Sequence, residues 1–373
     1  MSRVEKLKSP CKMTSKLEPM VSPGYDRERR ARQIESTLFV VQNDTHAKNF
    51  DVMARQLVAA GETVAILLLD GATHENTEQF LAAELGAFVR RIERTDHAFY
   101  RSRAWDRVRT CKRLRSWARA EIGCFDRVVV GNDGAMQKII IKAARIRNGE
   151  CRVSIVLDGL LTREKGWGAR AKRRIQRVAE RLGVDEFVPS TVGASTLVDD
   201  ITVMHSSVAD VLRFHRVAAP RITVAPLPRH AALRSTGTKA SSTATRVLFL
   251  GSAYLWHGEY AGHRQQLLDF AAFSSFAGRS PNFECRLRIH PRDDASCYAE
   301  VDRSSVHVSD GSNSLEDDLA WADVVVASRS SGLFDATLAG RRALVYTAHF
   351  PAPTDDAFLC TLPQISKFEE LYR

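Results

Sequence analysis

Several stretches of the sequence place reactive side chains directly behind a short apolar run. The richest is 323–340 (DVVVASRSSGLFDATLAG), where the run leads into Ser328, Arg329, Ser330, Ser331 and Gly332 and then into a helical pattern. Two adjacent hydroxyls, a glycine and the unpaired N–H groups of a helix start make a place for an anion, because the free amides and the helix dipole both favour negative charge. Asp335, about one turn into that helix, cannot hold a phosphate but can accept hydrogen bonds from ribose hydroxyls. Plain helix capping accounts for one serine and the aspartate and leaves the second serine without a task. His290, with Pro291 behind it, follows the run CRLRI. It can donate to a phosphate oxygen or protonate a leaving group, or it is a loop histidine stiffened by proline. Gly251 and Ser252 follow RVLFL; a glycine there admits close approach of a phosphate and equally suits an ordinary turn. Asp133 (GNDG, after DRVVVG) and Asp158 (LDG, after RVSIVL) are candidate general bases for an acceptor hydroxyl, or simply Asp–Gly turns.

Other chemistries lack their signatures. There is no GxxxxGK[ST] loop and no GxGxxG, which argues against a P-loop NTPase and a standard dehydrogenase. Glu316, Asp317 and Asp318 precede a helical stretch in which Ser314 and Asp317 fit a capping box. The pairs Asp199–Asp200, Asp293–Asp294 and Asp355–Asp356 read as loop carboxylates without a third partner at metal-ligand spacing, so neither a metal nor a bound cofactor is expected. The seven cysteines are scattered without CxxC spacing and read as reduced thiols. With no signal-peptide-like apolar segment and no run of 18 apolar residues, the expected location is the cytoplasm.

The elements that must position these residues follow from the alternation of short apolar runs with helical patterns. Residues 37–42, 63–69, 88–92, 126–131, 152–157, 185–188, 201–204 and 222–225 read as strands, with helical spacing at 52–60 and between most later runs. A second series begins after the small, polar segment 231–245, with strands at 246–250, 285–289, 305–308, 323–327 and 343–346 and a long helix near 259–277. Strand and helix alternating without hairpin turns imply parallel sheets. The expectation is an α/β chain of two tandem Rossmann-like, doubly wound domains with a cleft between them. Its parts are a basic leader at 1–36, a first domain at 37–230, a linker at 231–245 and a second domain at 246–373. Ligands of such sheets bind beyond the C-terminal ends of the strands, where all the candidates above lie.

The net charge of +10 is concentrated: residues 99–120 carry a net +7 and 163–181 a net +6, leaving −3 for the rest. Such patches suit an anionic membrane surface, a polyanionic acceptor or nothing beyond solvation. A nucleic-acid reading needs the same charge, but no helix-turn-helix, zinc-finger or RNP pattern accompanies it.

Together these features resemble a GT-B glycosyltransferase, over about residues 37–373. The span 201–229 is similar to the segment that closes the first domain of that class. The span 335–345 (DATLAGRRALV) resembles the helix-turn-strand whose acidic residue binds donor ribose, which implies that role for Asp335. His290–Pro291 with Ser330, Ser331 and Asp335 is more narrowly similar to enzymes with CMP- or CDP-activated donors: bacterial sialyl- and polysialyltransferases, Kdo transferases and the polyol-phosphate transferases of teichoic acid synthesis. That resemblance implies that His290, Ser330 and Ser331 hold the donor phosphate. The sialyltransferases carry an acidic pair before a glycine; this chain has one acid there, Asp158, with Asp133 as its rival for the base. Trp256-His257-Gly258 matches a motif of the polyol-phosphate transferases but falls in the second domain, which limits His257 to a donor-side contact. The resembled class ends in helices that pack back onto the first domain, where this sequence stops at 368–373. The expected activity is metal-independent transfer of a sugar from a nucleotide donor to a glycan or lipid-linked hydroxyl, peripheral to the membrane. A UDP- or GDP-sugar transferase and a non-catalytic relative are the alternatives.

Overall fold

The computed structural model describes residues 36–42, 44–69, 89–91, 104–188, 191–217, 221–234, 244–255, 258–309, 313–353 and 355–372. They fall into two compact units, one drawn from Met1–Asp158 and Lys165–Pro228, the other from Gly159–Glu164 and Arg229–Arg373. Residues 1–35 of the leader and Trp256–His257 lie outside the described residues.

Unit 1 contains β1 (Ser36–Val41), α1 (Asp44–Ala59), β2 (Thr63–Leu68), β3 (Val89–Arg91), α2 (Ala104–Glu121), β4 (Arg127–Val130), α3 (Ala135–Arg147), β5 (Arg152–Leu157), α4 (Gly166–Arg181), β6 (Asp200–Val203), α5 (Ser206–Phe214) and β7 (Arg221–Val224). Its strands lie in the order β3-β2-β1-β4-β5-β6-β7, and every pairing is parallel. A sheet covered on both faces needs continuously apolar strands, and β1 is buried from Thr37 to Val41. Residues 185–188, expected as a strand, instead form a short 3₁₀ turn at Asp185–Phe187. Its two carboxylates are captured by cations from the helices, which leaves no reason for a ladder. Lys138 is 3.3 Å from Asp185, Lys142 binds Asp185 and Glu186, and Arg115 of α2 pairs with Glu186. Burial alone would raise the Asp185 carboxyl, but Lys142 and Lys138 outweigh it and hold it below the usual value.

Unit 2 contains α6 (His230–Arg234), β8 (Thr245–Leu250), α7 (Tyr260–Arg279), β9 (Phe283–Arg288), β10 (His307–Ser309), α8 (Leu315–Trp321), β11 (Val324–Ala327), α9 (Gly332–Leu338), β12 (Arg342–Tyr346) and β13 (Gln364–Ile365). The sheet order is β10-β9-β8-β11-β12-β13, again all parallel. Its core is aromatic: Phe249, Phe270, Phe273 and Phe276 pack together, and Phe368 stacks on Tyr346 with centroids 4.3 Å apart. The short β13 carries no apolar run, so nothing in its composition announced it.

Each sheet reverses its direction of growth once, between β1 and β4 and between β8 and β11. At such a switch point the connections leave to opposite sides and open a crevice beyond the strand ends.

Candidate functional site

In unit 1 the switch point holds a histidine that strand-end position alone does not single out. His46 lies in the first turn of α1, beyond the end of β1, and is buried to 2% exposure. The backbone N–H of Gln42 donates to its Nδ1 at 3.3 Å, so the neutral ring carries its proton on Nε2. That nitrogen faces Oδ2 of Asp158, just past β5, at 3.7 Å; the Asp158 side chain is 15% exposed. Phe50 stacks against the other side of the imidazole. Gly131, at the end of β4, leaves the space the ring occupies, and a Cβ there would overlap it. The ends of β1, β4 and β5 thus build one feature, a buried imidazole turned toward a partly exposed carboxylate.

Asp133, the rival base, is spent elsewhere. It is fully buried, and its two oxygens accept the N–H groups of Gly193 (2.8 Å) and Ser195 (2.9 Å). Burial pushes its carboxyl pKa up while those amides and Lys138 pull it down, with burial prevailing. Its place is that of a staple between the β4 connection and the 191–195 loop.

In unit 2 the loops after β8, β11 and β12 meet at the second switch point. The Ser252 hydroxyl donates to the carbonyl of Arg329, joining the β8 and β11 loops. The Ser252 N–H donates to Gln266 at 2.7 Å, and Gln266 donates to Tyr298, whose hydroxyl donates to Asp293 at 2.6 Å. Gly251 is buried, and a Cβ there would crowd Phe270 and the Arg288 carbonyl, so its bareness serves packing. Ser330 accepts the N–H of Gly332 at 3.2 Å. Ser331 is exposed at the start of α9 and makes no side-chain cap, so its hydroxyl is not consumed in capping.

A second histidine–aspartate pair stands at the same place. Asp269 of α7 is wholly buried; its Oδ1 lies 2.6 Å from Nδ1 of His349, three residues past β12, and its Oδ2 accepts the hydroxyl of Ser328, just past β11. The His349 side chain remains 34% exposed. Burial raises the Asp269 carboxyl pKa against the lowering effect of both partners. Arg329 is exposed beside this group and reaches the Pro351 carbonyl at 3.5 Å.

The remaining candidates make other bonds. His290 accepts the Arg292 N–H on Nδ1 at 3.2 Å, which leaves the proton of the neutral ring on Nε2. Asp335 is buried in a two-point ion pair with Arg229 (3.0 and 3.1 Å) and faces His230 at 3.5 Å, so its carboxylate is committed within the unit. Among the described residues no three His, Cys, Asp or Glu side chains converge as metal ligands, and no helix is long and apolar enough to cross a membrane.

No family model and no curated protein matches the sequence. Solved structures do match in fold. The UDP-GlcNAc 2-epimerase from Neisseria meningitidis bound to UDP-GlcNAc is 13% identical, with a TM-score of 0.54 over 83% of this chain and 82% of its own. The MnaA–UDP structure from S. aureus is 11% identical, with a TM-score of 0.56 over 84% and 80%. The glycosyltransferase SnogD from Streptomyces nogalater is 18% identical and superposes less well, with a TM-score of 0.46 over 83% and 81%. The chain has the two-domain α/β GT-B fold.

Proposed function

We propose that the chain is a glycosyl-transferring enzyme that uses a nucleotide-activated sugar. The observation that carries this reading is the pair of strand-end clusters: unit 1 presents a carboxylate, and unit 2 presents an imidazole among hydroxyls and an arginine. In this reading the donor phosphate lies on Ser330, Ser331, Arg329 and His349, with His290 as a further donor of a hydrogen bond. Asp158 takes the proton of the acceptor hydroxyl as its oxygen attacks the anomeric carbon. The bond from that carbon to the phosphate oxygen breaks, and the nucleotide leaves with the electron pair. Its growing charge is met by preorganised donors. His46 faces Asp158 at 3.7 Å, beyond hydrogen-bond distance, and in this reading acts as a positioning residue through charge and packing. Asp133 drops out because both its oxygens are occupied.

Two specific features favour different bases. The His290–Pro291 and Ser330–Ser331 combination favours a cytidine nucleotide, and the likeness to UDP-binding epimerases favours uridine. That likeness also supports a second reading, epimerisation of a UDP-sugar without an acceptor. A thermal-shift screen of CMP, CDP, UDP, GDP and ADP separates the bases, since ligand at 100 times its dissociation constant stabilises by about 2.7 kcal/mol. The winning nucleotide's shift should vanish in His290→Ala combined with Ser331→Ala. With the matching nucleotide sugar, slow release of free nucleotide into water supports transfer. Conversion of the sugar with the nucleotide still attached supports epimerisation, and binding with neither overturns the enzymatic reading.

A further inference from the structure

The helix α4 carries two exposed rows that no part of the chain covers among the described residues. Trp167, Ala171, Ile175, Val178 and Leu182 follow one another at helical spacing, and Arg170, Arg174, Arg177 and Arg181 form a second row beside them. The face packed on unit 1 is a third one, holding Gln176 and Ala179. Trp167 is 83% exposed, Ile175 55%, Val178 51% and Leu182 71%, and all four arginines are exposed. None of these arginines pairs with a carboxylate among the described residues. An ordinary solvent-facing helix has no use for a continuous apolar row, and a helix that docks within its own unit would have buried it.

We infer that α4 lies in the headgroup layer of an anionic membrane, with its apolar row among the acyl chains and its arginine row on lipid phosphates. The two rows together select this occupant. A second copy of the chain would oppose arginine row to arginine row. A nucleic acid would satisfy the arginines but offers nothing to Ile175, Val178 and Leu182. A bilayer surface supplies negative charge and hydrocarbon side by side, and tryptophan suits the boundary between them. A cavity of about 310 Å³ adjoins the C-terminal end of α4. It is lined by Arg115, Arg119, Lys142 and Arg145 with Gly183 and Ile146, but Arg115, Lys142 and Arg145 are already paired with Glu186, Asp185 and Asp199, so the contact with lipid rests on the two rows of α4 alone. The other basic helix, α2, is different: Arg109, Lys112, Arg113 and Arg119 are exposed on it, but Trp105 stands alone without an apolar row.

The test is co-sedimentation of the full chain with vesicles of phosphatidylcholine, with and without phosphatidylglycerol. Binding is expected only to the anionic vesicles and should weaken with salt. Trp167→Ser with Leu182→Ser should lower partitioning by ~10-fold or more, because burying such side chains drives the insertion. Ile175→Ser with Val178→Ser should repeat the effect at neighbouring exposed positions of the row. Replacing the four arginines by glutamine should abolish anionic selectivity, whereas Arg109→Gln with Lys112→Gln should change it little. All these side chains are exposed, so an unchanged unfolding temperature checks that each variant is folded. No binding to anionic vesicles, or binding unaffected by both apolar pairs, overturns the inference. Tighter, salt-steep binding to duplex DNA or RNA than to vesicles would make this a nucleic-acid face instead.

Discussion

The two units hold their histidine–aspartate pairs with opposite polarity. In unit 1 the histidine is buried and the aspartate reaches solvent; in unit 2 the aspartate is buried and the histidine reaches solvent. The separations differ too: 3.7 Å between His46 and Asp158, 2.6 Å between His349 and Asp269. In unit 2 the buried Asp269 holds His349 by a hydrogen bond, whereas in unit 1 His46 faces Asp158 from beyond hydrogen-bond distance. In the proposed reaction unit 1 supplies the proton acceptor and unit 2 the donor to phosphate, although both stand on parallel sheets of the same design. The lesson is that the inventory of a strand-end pair says less than which partner is accessible.

The comparison breaks most sharply at Asp158. Asp158→Asn should cut nucleotide release in the presence of acceptor by about 1,000-fold, the scale of a lost general base, while the nucleotide's thermal shift stays intact. If Asp133→Asn did this instead, and Asp158→Asn did not, the working carboxylate of unit 1 would be Asp133.

Each unit buries acids against cations: Asp185 and Glu186 in unit 1, Asp318 and Asp335 in unit 2. Asp185→Asn leaves Lys138, which has no exposure, without its partner, and should cost about 3 kcal/mol in denaturant unfolding. His349→Gln should lower turnover by about 100-fold and reduce the nucleotide's thermal shift, because a charge-stabilising donor is lost. His46→Gln should be milder, about 10-fold in turnover with an unchanged thermal shift, as befits a group acting through Asp158. Gly131→Ala should imitate it by displacing the same ring.

The smallest effect is a drift with pH, of opposite sign for two carboxyls. Asp185 is held below its ordinary value, so its contribution to stability is present above about pH 3.8 and is lost as pH falls through the lowered value. Asp269 is raised, so its contribution is full below about pH 3.8 and declines as pH rises through the raised value. Measured against wild type, Asp269→Asn should therefore gain in unfolding temperature as pH rises, and Asp185→Asn should lose its deficit as pH falls. Parallel drifts in the two variants would contradict the opposite shifts of the two carboxyls.

The strands were legible because a two-sided sheet demands unbroken apolar runs, and DRVVVG, RVSIVL, RVLFL and DVVVA supply them. Ser252, Ser330 and Asp158 stand directly behind such runs, where a strand's end must come. His46 escapes that criterion because it lies a helical turn past its strand, and Asp269 because it sits within the apolar helix sequence LLDFAAF. A carboxylate in such a setting signals a buried acid needing a partner, but that partner, His349, is 80 residues away. Asp335 shows the converse: its position suited a ribose, and only the fold reveals Arg229, 106 residues distant, closing on it. Local spacing gives candidates; which of them remain accessible is decided by long-range contacts.

The strand orders also bear on how the chain is made. In unit 1 the earliest described strand, β1, lies inside the sheet; β2 and β3 add outward on one side, and β4, β5, β6 and β7 on the other. Unit 2 repeats the scheme from β8, outward through β9 and β10 and then through β11, β12 and β13. Among the described strands, each thus joins an edge already present when it leaves the ribosome, and none has to be inserted between two existing neighbours. Parallel pairing is slow because its loops are long, yet this order lets each unit grow in the direction of translation, the earlier one without waiting for the later.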